Sequence, residues 1–444
     1  MPPQEPSPPI PQQAFLEQLS SPEGSPLKIG GFEVRDLAKR FGTPLYLFDA
    51  NLLRKRLSIV QKALGDRIDV LFAVKANSNW AVAKTFVQAG AGLEVASAGE
   101  LYLAEKSGVS SSLVQFAGPG KGEEDLRAAI QFGIYSLNAE SAAEVEAIAA
   151  EAQKQGKSQG VAIRVNPPQS VGGSRMRMGG GSKKFGVDLD RVPSLMERIH
   201  KDPHLNLRGL HIYAGTQCFS AEAWTENAER LLGWAMEMEK DLGISLPSLN
   251  FGGGFGVAYF QGDHPFDLEL AGKGLAKVLA KDPTKNRRYF VELGRYLCAP
   301  AGVYICKVVY LKESHGKTHA ILDGGMHQHS AAAGMGSILR RAFPIVAVKN
   351  PFADAGQPYT LGGPLCTPAD EFASDYILPP LEQGDLIAIL GSGGYGLTFS
   401  NHSFLSHPTP GEVLIEQGSA HLVRRPGKAE DILRDQLLPG EASE

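Results

Sequence analysis

The sequence predicts an α/β protein: a closed (β/α)8 TIM barrel followed by an all-β domain of sandwich-like or barrel-like form. Three observations predict it. Eight short apolar bursts, at residues 70–74, 93–95, 113–116, 134–137, 161–165, 207–213, 249–251 and 289–293, each end in a glycine or polar cluster. Helix-like stretches separate them, among them 79–89, 98–106, 139–153 and 221–240. After Gly302 the texture changes: strand-like runs at 303–311, 319–323, 344–348, 385–390 and 412–416 alternate with Gly/Pro turns. Short runs buried on both faces are the mark of parallel strands. Eight βα units in succession close into a barrel whose chemistry sits at the carboxyl ends of the strands. A doubly wound open sheet is the competing reading of the same pattern. Strand runs parted by turns, with few helical windows, indicate an all-β domain. Residues 45–48 read as a strand joining it. The expected layout is a flexible Pro-rich leader over 1–25, strands of the β domain over 26–48, the barrel over 49–300, the β domain over 301–420 and a charged tail over 421–444.

Composition narrows the function classes. With 444 residues, 43% hydrophobic and 21% charged, the chain can bury a large core. A net charge of -4 gives no electrostatic case for nucleic acid or an anionic membrane as partner. The four cysteines, Cys218, Cys298, Cys306 and Cys366, show no CxxC spacing. That argues against a zinc site or a disulfide framework and suits a cytoplasmic protein. No segment has the length of a transmembrane helix, and the N-terminus lacks the pattern of a signal peptide.

The strand ends carry a consistent set of groups. The first ends on Lys75; the sixth runs into His211, Tyr213 and Thr216; the seventh into Gly252, Gly253 and Gly254; the eighth into Glu292 and Arg295. A glycine run at a strand end lets several backbone N–H groups face one anion, although tight barrel turns also collect glycine. Lysine, carboxylate, glycine run and arginine together suit pyridoxal 5'-phosphate: a Schiff-base lysine, a partner for the pyridine nitrogen, and amides plus a cation for the phosphate. An ion pair between Glu292 and Arg295 is the bland reading of those two residues. Residues 391–396 also fit GxGxxG after a strand. The stretch after them, with Pro408 and Pro410, is no helix, so a dinucleotide site is not expected there.

AVKAN, HIYAGTQ, NFGGGFG, ELGR, DGGM, GPLC and GGYG occur in this order between about residues 42 and 416. As an ordered set they resemble the fold-type III pyridoxal-phosphate decarboxylases, the group of diaminopimelate and ornithine decarboxylases. The resemblance implies a Schiff base at Lys75 and Glu292 at the pyridine nitrogen. It also implies phosphate contacts from Gly252, Gly253, Gly254, Arg295 and Tyr395, with His211 near the ring. It implies a homodimer with shared active sites, in which Cys366 and Tyr395 help build the site. Cys366 would reach in from the partner subunit, where that cysteine is associated with returning a proton to Cα. A small buried hydrophobe is its bland reading.

Departures from the family pattern bear on the substrate. Tyr213 stands where diaminopimelate decarboxylases stack a histidine on the cofactor, so an aromatic face is kept. Thr367 stands where an acidic residue pairs with the substrate's distal ammonium. Losing one partner of such a buried pair costs roughly 2–5 kcal/mol. His327 replaces an asparagine, and His327-x-His329 lacks a clear third ligand for a metal, so none is expected. Arg340 or Arg341 could grip a substrate carboxylate; adjacent residues point in different directions. HIYAGTQ, DGGMHQH and GPLCTP are similar to the subgroup of glutamyl-carrier-protein and exosortase-associated decarboxylases. That implies a far end linked as amide or thioester, perhaps on an acyl carrier protein. The loop 167–184, with Arg175, Arg177, Lys183 and Lys184, reads as a lid facing an acidic carrier or as solvated charge. The expectation is thus an α-decarboxylase acting on a small amino-acid or carrier-bound substrate without a distal amine. The rivals are meso-diaminopimelate decarboxylation, an alanine-racemase-like enzyme (against which Glu292 speaks) and a barrel-only pyridoxal-phosphate-binding protein (against which the second domain speaks).

Overall fold

The computed structural model describes residues 11–167, 174–177, 182, 184–213, 215–336, 341–353 and 355–439. The chain divides into two compact units: a barrel unit of Leu53–Ala258 and His264–Leu297, and a β unit of residues up to Leu52, Tyr259–Asp263 and Cys298 onward.

The barrel unit is built on eight parallel strands: β1 (Ile68–Ala73), β2 (Gly92–Val95), β3 (Val114–Ala117), β4 (Ser136–Ala139), β5 (Gln159–Asn166), β6 (Leu205–His211), β7 (Ser248–Gly253) and β8 (Arg288–Leu293). Hydrogen bonds run β1-β2-β3-β4-β5-β6-β7-β8 and close from β8 onto β1, with Glu292 opposite Leu71. The barrel is closed, which rejects the open sheet. Both faces of the strands are covered, so apolar residues stand at successive positions instead of alternating, with single buried polar side chains such as Glu94, Gln115 and Asn250 among them. Capping chemistry starts the surrounding helices. Asn79, Ser97, Ser141, Ser220 and Asp267 each accept a backbone N–H of the helix they precede. Gly108, Gly133 and Gly243 end three helices in the left-handed region. Inside the barrel, Leu71, Tyr135 and Phe290 form an apolar layer.

The β unit centres on the long strand Gly302–Ser314. Its first half pairs antiparallel with Leu45–Asp49 and Leu386–Ile389, and its second half with Lys317–Leu322. Leu45–Asp49 in turn runs parallel to Gly411–Glu416. Three further strands, Gln357–Gly362, Glu371–Leu378 and Ser419–Arg424, lie outside the runs expected from sequence. The leader read as flexible contains a helix, Pro11–Gln18, whose Phe15 and Leu16 are buried. Proline opens that helix, where its missing N–H costs nothing, so a proline-rich composition concealed it. No helix of the described residues is long and apolar enough to cross a membrane.

Candidate active site

Lys75 follows β1 in a single 3-10 turn, Val74–Ala76, whose outer residues are buried and fix the turn. Its ammonium lies 2.9 Å from each carboxylate oxygen of Glu94 on β2, and 5.7 Å from the centre of the Tyr213 ring. The Glu94 side chain is 1% exposed and that of Lys75 is 40% exposed. Burial pushes the Glu94 carboxyl up to about 7, with Lys75 pulling it down and Glu292 pushing it up. Sequence reasoning missed Glu94. The signal was available: a carboxylate at the centre of a burst that the barrel pattern makes wholly buried.

Glu292 lies on β8 among a layer of buried polar side chains. Its Oε1 accepts from Asn250 Nδ2 at 2.7 Å, and His211 Nε2 stands 3.4 Å from its Oε2. Its partners include Asn250 and His211. Burial alone would raise the Glu292 carboxyl. The charge of His211 3.4 Å away, then Lys75 and the Asn250 hydrogen bond, outweigh it and hold the group at about 2. A fixed negative charge therefore sits at the centre of the barrel.

The glycines at the end of β7, Gly252 and Gly253, and Gly254 just beyond it are dictated by crowding. A Cβ on Gly252 would meet the Ile212 carbonyl oxygen at 2.3 Å, one on Gly253 the Glu292 oxygen at 1.8 Å, and one on Gly254 the Gly215 oxygen at 2.1 Å. Gly252 and Gly254 also have φ of +64 and +82, a region that disfavours side chains. Thr216 lies beside this run, its Cα 3.4 Å from the Cβ position of Gly254, on the strand Gly215–Cys218. Arg295 opens the turn after β8, and a Cβ on the preceding Gly294 would stand 2.7 Å from Ala76 Cβ. The Lys75 turn and the Arg295 turn are thus packed together. Arg164 on β5 pairs with buried Glu140 at 2.8 Å and stacks on Phe185 at 4.9 Å, with the Tyr213 ring 5.9 Å away. The structure brings Lys75, His211, Tyr213, Thr216, Gly252, Gly253, Gly254, Glu292 and Arg295 to one end of the barrel strands.

In the β unit, Cys366 is exposed and free, and Thr367 is half-buried. Asp370 fastens this loop: its Oδ1 accepts from Met326 N at 2.6 Å and its Oδ2 from Leu365 N at 2.8 Å. The clamp joins DGGM to GPLC, and it explains two glycines. A Cβ on Gly325 or Gly363 would meet the Asp370 carboxylate at 2.4 or 2.3 Å. Tyr395 is half-buried with φ +55, its ring edge-on to Phe399 at 6.2 Å. A 3-10 turn, Leu397–Phe399, follows the GxGxxG segment in place of a helix.

His327 and His329 do not converge on one ion. His329 is a core residue, with Nε2 3.0 Å from Ser392 Oγ, and among the described residues no group of three metal-ligating side chains occurs. His327 is 1% exposed, neither ring nitrogen has a hydrogen-bond partner among the described residues, and its ring lies 5.1 Å from that of His407. Burial, and then the charge of His407, push the His327 imidazole from 6.5 down to about 4. The fold therefore prefers it neutral. The stability tied to this preference is complete above pH 6.5 and is lost as pH falls towards 4, amounting to about 3 kcal/mol. Denaturant melts at pH 7 and pH 4.5 should show this acid loss shrinking in His327→Phe. Arg341 stacks 4.2 Å from the Phe260 ring centre and lies 4.0 Å from Asp263. Arg340, Lys183 and most of the loop 167–184 lie outside the described residues.

A family described as "Pyridoxal-dependent decarboxylase, pyridoxal binding domain" matches residues 50–299. The chain belongs to the pyridoxal-dependent decarboxylases. It is 38% identical over 414 residues to the L-glutamyl-[BtrI acyl-carrier protein] decarboxylase of Niallia circulans, covering 91% of this chain and 96% of that one. It is 33% identical over 409 residues to the diaminopimelate decarboxylase of Aquifex aeolicus, covering 90% and 93%. The crystal structure of diaminopimelate decarboxylase from M. jannaschii superposes with a TM-score of 0.88 at 26% identity, covering 96% of this chain and 99% of that one. The decarboxylase is therefore an enzyme with pyridoxal 5'-phosphate as cofactor. The donors present fit that group: a buried carboxylate held ionised, a lysine on the same rim, and a glycine run closed to any side chain.

Proposed function

We propose that this decarboxylase removes the α-carboxylate of an amino acid whose far end carries no free amine, a glutamyl group linked to an acyl carrier protein being the best-supported case. One observation carries the reading: the loop that follows Cys366 offers no carboxylate to a distal ammonium. Thr367 has a hydroxyl, and the next carboxylate, Asp370, is 5% exposed with each oxygen held by a backbone N–H. Threonine can hydrogen-bond a neutral amide or thioester neighbour; it cannot compensate an ammonium. The 38% identity to the glutamyl-carrier-protein enzyme supports the same reading. The test is Thr367→Asp. It should raise kcat/KM for meso-diaminopimelate relative to a carrier-linked glutamyl substrate by about 10-fold or more. An unchanged ratio would sink the assignment of Thr367.

Within this reading Lys75 is the attachment and exchange lysine, and Glu94 balances its charge when the amine is free. Glu292 would pair with the pyridine nitrogen and keep a proton there. Gly252, Gly253, Gly254, Arg295 and Tyr395 would hold the phosphate, with Thr216 beside them. Tyr213 would face the cofactor ring, with Arg164 5.9 Å from the Tyr213 ring centre. The cofactor supplies a sink for the electrons left at Cα when carbon dioxide departs. Orienting the scissile carboxylate and excluding water fall to the protein. Cys366 would supply a proton to Cα from the partner subunit of a homodimer, with Thr367 and Arg341 towards the substrate's far end; His327, 1% exposed, is too buried for the substrate contact expected of it. Gel filtration should then give twice the 47.5 kDa of the chain; elution as a monomer would remove Cys366 from the scheme.

A further inference from the structure

Asn250, 2% exposed on β7, uses every polar hydrogen of its side chain. Its Nδ2 donates to Glu292 Oε1 at 2.7 Å and to Gln115 Oε1 at 2.8 Å, and its Oδ1 accepts from Gly252 N at 2.9 Å. From this geometry we propose that Asn250 is a positioning residue, one that registers the carboxylate of Glu292 to the anion cradle beginning at Gly252. The proposal rests on the roles given above to Glu292 and the glycine run.

The bond pattern requires an amide. Two acceptors face Nδ2, so the atom must donate twice; a carboxyl in its place could donate only while protonated. The cradle end cannot slide to accommodate a change, because Gly252 already packs against the Ile212 carbonyl. The carboxylate end is held from its other side too. Gln115 Oε1 also accepts from Asn138 Nδ2 at 3.3 Å, that nitrogen stands 3.4 Å from His211 Nδ1, and His211 Nε2 reaches Glu292 at 3.4 Å. Five side chains, Glu292 on β8 with Asn250 on β7, Gln115 on β3, Asn138 on β4 and His211 on β6, thus close a ring that includes the carboxylate. The other charged groups that face it are Lys75 and Glu94. Fixing carboxylate and cradle to one another sets the distance between the two ends of a rigid ring before it binds, which spares that ordering at each encounter.

The test is a pH titration of the absorption spectrum of purified holoenzyme, wild type against Asn250→Asp, with kcat measured alongside. The introduced carboxyl must keep a proton to stand in for the Nδ2 donor. The variant should therefore gain an ionisation absent from wild type, with the wild-type spectrum and kcat lost as pH rises through it. A merely structural role would add no such ionisation. Should that variant not fold, Asn250→Ala decides: its affinity for pyridoxal 5'-phosphate should fall about 10- to 100-fold, and its affinity for pyridoxal, which lacks the phosphate, by less. No added ionisation in Asn250→Asp, or affinity within about twofold of wild type in Asn250→Ala, would overturn the proposal. Glu292→Gln separates the two failures. An unaltered spectrum there overturns the role of Glu292 itself, whereas an altered one with wild-type behaviour at Asn250 overturns the positioning role alone.

Discussion

Lys75→Ala should lower carbon dioxide release by about four orders of magnitude or more, the scale of removing a covalent and proton-transferring group together. Two things change at once in that variant. The amine that attaches the cofactor is gone, and Glu94, buried at 2.9 Å from it, loses its counter-charge. An uncompensated buried carboxylate takes up a proton rather than stay charged. Lys75→Arg separates the effects, because it keeps a cation for Glu94 without a nucleophilic amine. It should fold and melt like wild type and remain inactive. Borohydride treatment followed by peptide mass mapping gives an independent readout: cofactor mass on Lys75 in wild type and on no peptide in either variant. Activity retained in Lys75→Arg would remove Lys75 from the reaction.

Glu292→Gln carries the second-largest expected effect, a fall in kcat of about 100- to 1,000-fold with a smaller change in KM. The argument is electrostatic. A carboxylate held at about 2 stays charged throughout the range in which the enzyme can be assayed, so a proton on the pyridine nitrogen always finds its counter-ion. The amide has no charge to offer in a low-dielectric interior where each charge interaction is strong. Cofactor can still bind through the lysine and the cradle, so the loss should appear in kcat and not chiefly in affinity. A rise in KM with kcat unchanged would mean that Glu292 serves ground-state binding alone.

The barrel strands were legible in the sequence because a parallel strand buried on both faces is a mostly apolar run, with the rim residues at or near its end. Lys75, His211, Glu292 and Arg295 are therefore visible as the polar groups at the ends of runs. Glu94, Gln115, Asn138, Arg164 and Asn250 are polar groups inside strands, and only the closed barrel reveals that they face one another. Along the chain they pass for interruptions. The strands Gln357–Gly362, Glu371–Leu378 and Ser419–Arg424 escaped for the opposite reason. Each exposes much of its length, so solvent-facing residues break the apolar pattern by which a strand is recognised. Asp370 illustrates a further limit. Nothing in GPLCTPAD signals its role, and only its backbone hydrogen bonds disclose that it clamps the loop bearing Cys366 and Thr367.

The most direct measurement is carbon dioxide release by the cofactor-loaded enzyme, compared on an L-glutamyl acyl-carrier-protein thioester and on meso-diaminopimelate. The expected result is turnover of the carrier-linked substrate and essentially none of the diamine, because Thr367 cannot compensate a distal ammonium and Asp370 is already engaged. Turnover of meso-diaminopimelate at an ordinary enzymatic rate, with the carrier-linked substrate left untouched, would contradict it.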